Sequence, residues 1–445
     1  MQTTRSSKSV HSLQSARPTR RTALKTSLAI GAGVWLGTSR SARAASANEK
    51  LNIAFIGVGG RGEANLNGLR GENVVALCDV DDERAGGAYE RFPKAKKFSD
   101  FRRMYDDIAG EIDAVAISTP DHTHFHPAYA AMQLGKHVYL EKPMAHSVEE
   151  CRILTDLARE KNIATQLGVQ RHTIPNMHRI VELIQGRAIG HVGEVHCWIG
   201  GDRGMPEYPP KTAPVPPHLD WDLWLGPARQ RPFSPAYAPY GWRFWWDFGT
   251  GEMGNWGCHI LDIPFWALDL KYPTRVEATG PEPHPQTTPR QMHVRYDFPH
   301  NGTLRPPVVL HWYHAEKGPD VLREHELDPS GNNTLFIGTK GMLLCGFNKL
   351  QLLPEEKFAD YTPPERSIPN SPGFHREWIN ACKGGEPATC HFDYSGPLAE
   401  TVLLGNVAYR AGQPFEWNGE KLEAKGSDRA AEFLHSTYRE GWQIT

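Results

Sequence analysis

The first patterned stretch is an apolar run of strand length at 51–56, followed at once by Gly57, Gly59 and Gly62. Ala64, Leu66 and Leu69 then recur at helical spacing. The pattern predicts strand, tight turn and helix in direct succession. A second apolar run, 73–78, ends at Asp79. Further strands are predicted at 111–118, 137–140 and 164–169, with helices at 126–134 and 148–161 between them. Such alternation means a parallel, doubly wound sheet, whose ligands lie beyond the carboxyl ends of its strands. Gly57 to Gly62, Asp79, the turn 119–124 and the triplet 141–143 all fall at such ends.

From about residue 173 the pattern changes. A helix at 177–185 and a strand at 193–199 precede a long loop, 206–242, rich in Pro, Trp and Tyr. An apolar helix is predicted to begin at His259 and run to 270. Alternating stretches at 274–279, 291–298, 307–314, 333–337 and 341–345 predict a mostly antiparallel sheet, closed by helices at 374–383 and 397–411. The fold class read from this is an α/β Rossmann domain (50–172) followed by an α+β domain with a large, mostly antiparallel open sheet (173–420). Residues 421–445 are expected to form a C-terminal tail.

Residues 1–44 read differently. Arg17, Arg20, Arg21 and Lys25 form a basic region, 27–37 is an apolar run too short to span a bilayer, and Ala42-Arg-Ala44 offers a small-residue cleavage site. Arg20-Arg21 with Leu24-Lys25 resembles a twin-arginine signal, with a plain secretory signal as the alternative. The expectation is a periplasmic or otherwise exported protein. Export after folding suits a nucleotide cofactor, which must be bound where it is made. The 445 residues, 39% hydrophobic, suffice for two domains. A net charge of −2 without a long basic block beyond the amino terminus speaks against nucleic acid. No run is long enough to span a membrane in the mature form. Cys78 and Cys258 read as core residues, and Cys382 and Cys390 are the pair an oxidising compartment could join.

The glycines point to a dinucleotide. Gly57 allows the turn, Gly59 lets backbone approach a pyrophosphate, and Gly62 lets helix pack on strand, with the helix N-terminus facing the phosphates. Asp79 follows Gly57 by about 20 residues, where an acid holds the ribose hydroxyls of NAD. NADP stays open through Arg61 or Arg84. The histidines of Asp121-His-Thr-His-Phe-His126 alternate along a turn and do not all face one point, so no metal site is expected.

The glycine turn, Thr119-Pro-Asp-His-Thr-His124, Glu141-Lys-Pro143, Gly168-Val-Gln-Arg171, the stretch 249–262 and 396–405 together resemble the Gfo/Idh/MocA oxidoreductases over about residues 50–420. The exported glucose–fructose oxidoreductases and the NAD-dependent glycosidases are the informative branches. The resemblance implies bound NAD or NADP, with Gly57, Gly59, Gly60, Arg61, Gly62, Asp79, Thr119, Pro120, His124, Glu141, Lys142 and Gln170 at the cofactor. It places Lys142, before a proline, between nicotinamide and substrate. His259 is expected as general base and acid. Asn255 stands where the family often has Asp; it can orient a hydroxyl but cannot titrate. Arg171 and His172 are read as substrate-side, Trp245 and Trp246 as sugar-stacking, and Asp262 as complementing the helix dipole. The function expected is hydride transfer on a sugar, polyol or glycoside, with NAD retained through turnover. A redox-neutral NAD-dependent glycoside hydrolase and a non-catalytic sugar-binding member are the alternatives. A homo-oligomer, dimer or tetramer, is implied by the family's open sheet.

Overall fold

The structure is a computed structural model that describes residues 49–444 apart from 302–304, 316–318, 329 and 332. The expected export signal lies outside the described residues.

Six strands form the first sheet: β1 (Asn52–Ile56), β2 (Asn73–Cys78), β3 (Lys96–Phe98), β4 (Ala114–Ile117), β5 (His137–Leu140) and β6 (Thr165–Leu167). All pair in parallel, in the order β3-β2-β1-β4-β5-β6. β4 is buried at every position, as a strand covered on both faces must be. The order reverses at β1, so a crevice opens beyond its carboxyl end. The helix Arg61–Leu69 begins there with Gly60 as N-cap and no side-chain cap. The helix Val148–Lys161 differs: Ser147 and Glu150 close a full capping box. The helix that faces the crevice thus starts without a side-chain cap.

The second sheet contains β7 (Val192–Ile199), β8 (Arg275–Thr279), β9 (Met292–Phe298), β10 (Val308–His314), β11 (Asn333–Gly338), β12 (Gly341–Cys345), β13 (Leu350–Leu353), β14 (Phe415–Asn418) and β15 (Glu423–Lys425). Its order is β13-β12-β11-β7-β10-β9-β8-β14-β15. β7 and β10 pair in parallel and the other neighbours antiparallel. Alternation shows best in β9. Met292, Val294, Tyr296 and Phe298 are buried, while His293, Arg295 and Asp297 stand on the more open face. Among the described residues no helix is long and apolar enough to cross a membrane.

Three expectations need correction. The residues after 420, expected as a C-terminal tail, form packed elements: β15 completes the sheet edge, the helix Asp428–Phe433 packs on the helix Phe392–Ala411, and Trp442 is buried. The helix predicted from His259 is in fact Gly251–Ile260, followed by Asp262–Ala267, so His259 sits in a last turn and not a first. Gly251, Gly254 and Gly257 hid its start, because glycine carries no apolar periodicity. Close packing explains them: a Cβ on Gly254 would lie 1.7 Å from Thr250 Oγ1 and one on Gly257 3.1 Å from Val402. Pro397, predicted to open a helix, lies inside Phe392–Ala411. All seven cysteines are buried free thiols, Cys382 and Cys390 included.

Candidate active site

A cleft of about 650 Å³ lies beyond the carboxyl ends of the first sheet's strands, within the range of small-molecule sites. Gly57, Gly59, Gly60, Arg61, Asp79, Thr119, Pro120, Glu141, Lys142, Gln170, Arg171, Asn255 and His259 line it. Two glycines of the turn have no room for a Cβ. Gly57 has φ +77°, and a Cβ there would lie 2.8 Å from the Ser118 carbonyl. A Cβ on Gly62 would lie 1.9 Å from Gly57 O. Gly62 therefore fixes how close helix and strand lie, and it does not itself line the cleft. Asp79 Oδ2 accepts from Val58 N (2.8 Å) and Gly59 N (3.4 Å), and Oδ1 from Asp81 N (3.1 Å). Burial raises the Asp79 pKa against these amide bonds. Glu141 is the hub of the floor: its Oε1 accepts from Arg61 Nε (3.0 Å), Asn65 Nδ2 (2.8 Å) and Gln170 Nε2 (2.7 Å). A helix start without a side-chain cap, a glycine-rich turn and a carboxylate at the end of β2 fit a dinucleotide.

Lys142 precedes a cis peptide bond to Pro143. Its Nζ donates to Asn255 O (2.6 Å) and Asn255 Oδ1 (3.3 Å). Burial lowers its pKa, with Glu141 and Asp121 opposing. Asn255 Nδ2 donates to Glu252 Oε2 (3.1 Å), and buried Glu252 pairs with Arg203 through both oxygens. His259 is buried, and desolvation, then Lys142, Arg171 and Arg61, hold its pKa well below the ordinary value. Its Nδ1 is shut from solvent and has no partner, which leaves Nε2 as the nitrogen a substrate can reach. Arg171 lies over the rings of Phe347 (4.1 Å) and Trp256 (5.7 Å), and burial lowers its pKa.

Several expected residues stand elsewhere. His124 does not line the cleft. Its nitrogens face Pro143 O (2.7 Å) and Thr119 O (2.8 Å), so it ties the 119–124 turn to the Lys142 loop. His122 and His126 likewise face backbone carbonyls. His172 is buried, bonded through Nδ1 to Asp262 (3.0 Å) and stacked on Trp266 at 4.0 Å. Asp262 stands in the first turn of the helix Asp262–Ala267, as the helix-dipole expectation has it, and also serves that histidine and the Tyr394 hydroxyl (2.6 Å). Trp245 and Trp246 do not line the cleft either. Trp245 joins a small core with Trp224, Phe233, Tyr237, Trp242 and Phe248, and Trp246 packs into the main core. Loop 206–246 builds its own packing around Trp245, and the main core takes up Trp246.

The sequence reading missed Trp224, Tyr240, Trp442 and Asp81 in the lining, whereas Arg84, named there as a possible phosphate partner, does line it. Trp442 comes from the supposed tail, and no local signal could have placed it. Asp81 did carry one, as an N-cap acid: its Oδ1 accepts from Arg84 N (3.0 Å).

The geometry defines a dinucleotide-binding protein with a lysine and a histidine facing the same cleft. Residues 51–169 match the family described as "Oxidoreductase family, NAD-binding Rossmann fold", and 197–304 its "C-terminal alpha/beta domain". The chain belongs to the Gfo/Idh/MocA oxidoreductase family. It is 31% identical over 228 residues, 48% of this chain and 50% of the relative, to levoglucosan dehydrogenase of Pseudarthrobacter phenanthrenivorans. It is 32% identical over 176 residues, 36% of this chain and 38% of the relative, to a glycosyl hydrolase family 109 protein of Solibacter usitatus. The chain thus spans about half the length, or less, of these curated relatives. The fold is similar to that of the WlbA dehydrogenase from Bordetella pertussis, in complex with NADH and UDP-GlcNAcA. The TM-score is 0.59 at 16% identity, covering 83% of this chain and 99% of that one.

Proposed function

We propose that the protein is an NAD-dependent oxidoreductase acting on a CH–OH group of a sugar, polyol or glycoside. The observation that carries this reading is that Lys142, Asn255 and His259 line the same cleft as the glycine turn. Bound NAD would supply the hydride acceptor. Lys142 Nζ donates to the reacting oxygen and stabilises its developing negative charge, with Arg171 adding to the positive field. His259, a neutral imidazole at ordinary pH, takes the hydroxyl proton at Nε2. Asn255 positions Lys142 and moves no proton. Trp224, Trp242 and Trp442 keep water from the cleft and offer aromatic faces. Asp79 and Asp81 favour NAD over the extra phosphate of NADP, against the single cation of Arg84.

The same proposal includes export by the twin-arginine signal, a homo-oligomer of two or four copies, and a cofactor retained through turnover. Retention follows from export, since a dissociated nicotinamide would not be replaced. One sugar is then oxidised and a second carbonyl takes the hydride back. The 32% identity to a glycosyl hydrolase family 109 protein supports a second reading, redox-neutral cleavage of a glycoside. Purified full-length protein mixed with sugars, sugar pairs and aryl glycosides, with absorbance of bound NADH recorded, separates the two. Bleaching by a second sugar is the expected result, and Lys142→Met should keep the cofactor and lose the signal. Aglycone release without net redox change would establish the second reading. Absence of any spectral change with every carbohydrate would sink both.

A further inference from the structure

Away from the cleft, β7 and β10 run side by side with His196 opposite His311. Glu194 precedes His196 by two strand positions, so all three side chains share one face of the nine-stranded sheet. Glu194 Oε1 lies 3.1 Å from His196 Nε2 and 3.4 Å from His311 Nε2. One ligand atom from each residue lies within 4.8 Å of the others. A tetrahedral zinc with bonds of roughly 2.0–2.1 Å would hold its ligand atoms about 3.3 Å apart. The carboxylate separations already match. The two rings are nearly parallel, with centroids 4.8 Å apart, so both must turn about χ2 to aim at one point. That torsion is soft for histidine.

The surroundings are those of liganding imidazoles. The second nitrogen of each ring has a partner: His196 Nδ1 lies 3.1 Å from Tyr313 Oη, and His311 Nδ1 2.9 Å from His293 Nε2. Both partners can accept a proton's hydrogen bond, which supports the tautomer that leaves Nε2 free for a metal. The His293 ring stacks on Tyr313 at 4.4 Å and is fixed by it. The Glu194 side chain is 45% exposed, so the group is open to solvent. None of these residues lines the cleft, and the proposed reaction uses none of them.

We propose that Glu194, His196 and His311 form a binding site for a zinc-class divalent cation, with the fourth position left to water. Two imidazoles and one carboxylate select zinc and its neighbours over magnesium or calcium, which prefer all-oxygen shells. A bound ion would clamp β7 to β10 in the middle of the sheet. The test uses tag-free full-length protein stripped with a chelator, titrated with zinc by calorimetry and with cobalt(II) as an optical probe. One equivalent should bind, cobalt should show the intense visible bands of a four-coordinate site, and zinc should raise Tm. Glu194→Gln and His311→Ala should each weaken binding at least 10-fold, and His293→Ala, an outer partner, by about 10-fold. Circular dichroism checks that each variant is folded, and Glu194→Gln, being at the surface, serves if His311→Ala is not. Failure to bind one equivalent, or binding unchanged in the folded variants, would overturn the site.

Discussion

Asn255 stands where the resemblance implies an aspartate, and its surroundings favour an amide. Its amide faces two charged groups at once, accepting from Lys142 and donating to Glu252. An aspartate could serve the lysine but would set a second carboxylate 3.1 Å from Glu252 Oε2. Two carboxylates that close cannot both ionise freely, and one pKa rises. The amide therefore lets Glu252 stay paired to Arg203 and leaves Lys142, whose pKa burial lowers, without a further anion to raise it. In Asn255→Asp the added charge should move the basic limb of kcat/KM up by about one pH unit. It should also add an acidic limb from the crowded carboxylates, with the maximum rate changed by about 10-fold. The pH–rate profiles of the two proteins measure this, and superimposable profiles would show that Asn255 does not govern Lys142.

At the scale of the element, the strand–turn–helix at Gly57 to Gly62 sets the cleft. Gly62→Ala pushes a methyl into Gly57 O, a contact that backbone alone must relieve. Loss of nicotinamide from the purified protein and a destabilisation of about 2 kcal/mol or more are expected. Cofactor content and a denaturation curve read the two effects, and a Gly62→Ala protein that keeps both would remove the glycine from the account. This unit was legible in the sequence because each of its parts is local: an apolar run, glycines at fixed spacing, an acid at the next strand end. The alternating strands were legible for the same reason, and β8 to β12 fall within a residue or two of their predicted limits. What depended on distant packing was not legible. The helix Gly251–Ile260 is written in glycines chosen for tight contacts with Thr250 and Val402, so periodicity missed its start. Trp245 and Trp246 look like free aromatic faces in the sequence, and only the fold of the 206–246 loop shows that they are interior. His172 and Asp262 are 90 residues apart, and their pairing has no trace in local pattern.

Across the whole molecule, the buried histidines make stability depend on pH. Burial holds His122 to about 3 and His314 to about 4, and holds His259 well below its ordinary value. For His122 the carbonyls of Trp224 (3.0 Å) and Phe248 (3.2 Å) favour the cation, yet desolvation outweighs them. In the unfolded chain each of these rings titrates near 6.5. Below that pH the unfolded state binds protons that the folded state refuses, so stability falls as pH falls, by about 1.4 kcal/mol per pH unit for each ring. Glu400 acts in the opposite sense. Its buried carboxyl, pushed up to about 7 by desolvation against Arg152, keeps a proton in the folded state that the unfolded chain releases above about 4.5. The buried rings outnumber this one carboxyl, so the net effect is a loss of stability as pH falls from 6 to 5. Denaturant midpoints across pH 5 to 7 measure it, and His122→Gln should remove about one proton's worth of the slope. A midpoint that stays flat over this range, or a slope unchanged in a folded His122→Gln protein, would mean that these rings are protonated in the native state. The cations around His259 would then fail to keep it neutral, and the proton it takes from a sugar hydroxyl would have to go elsewhere.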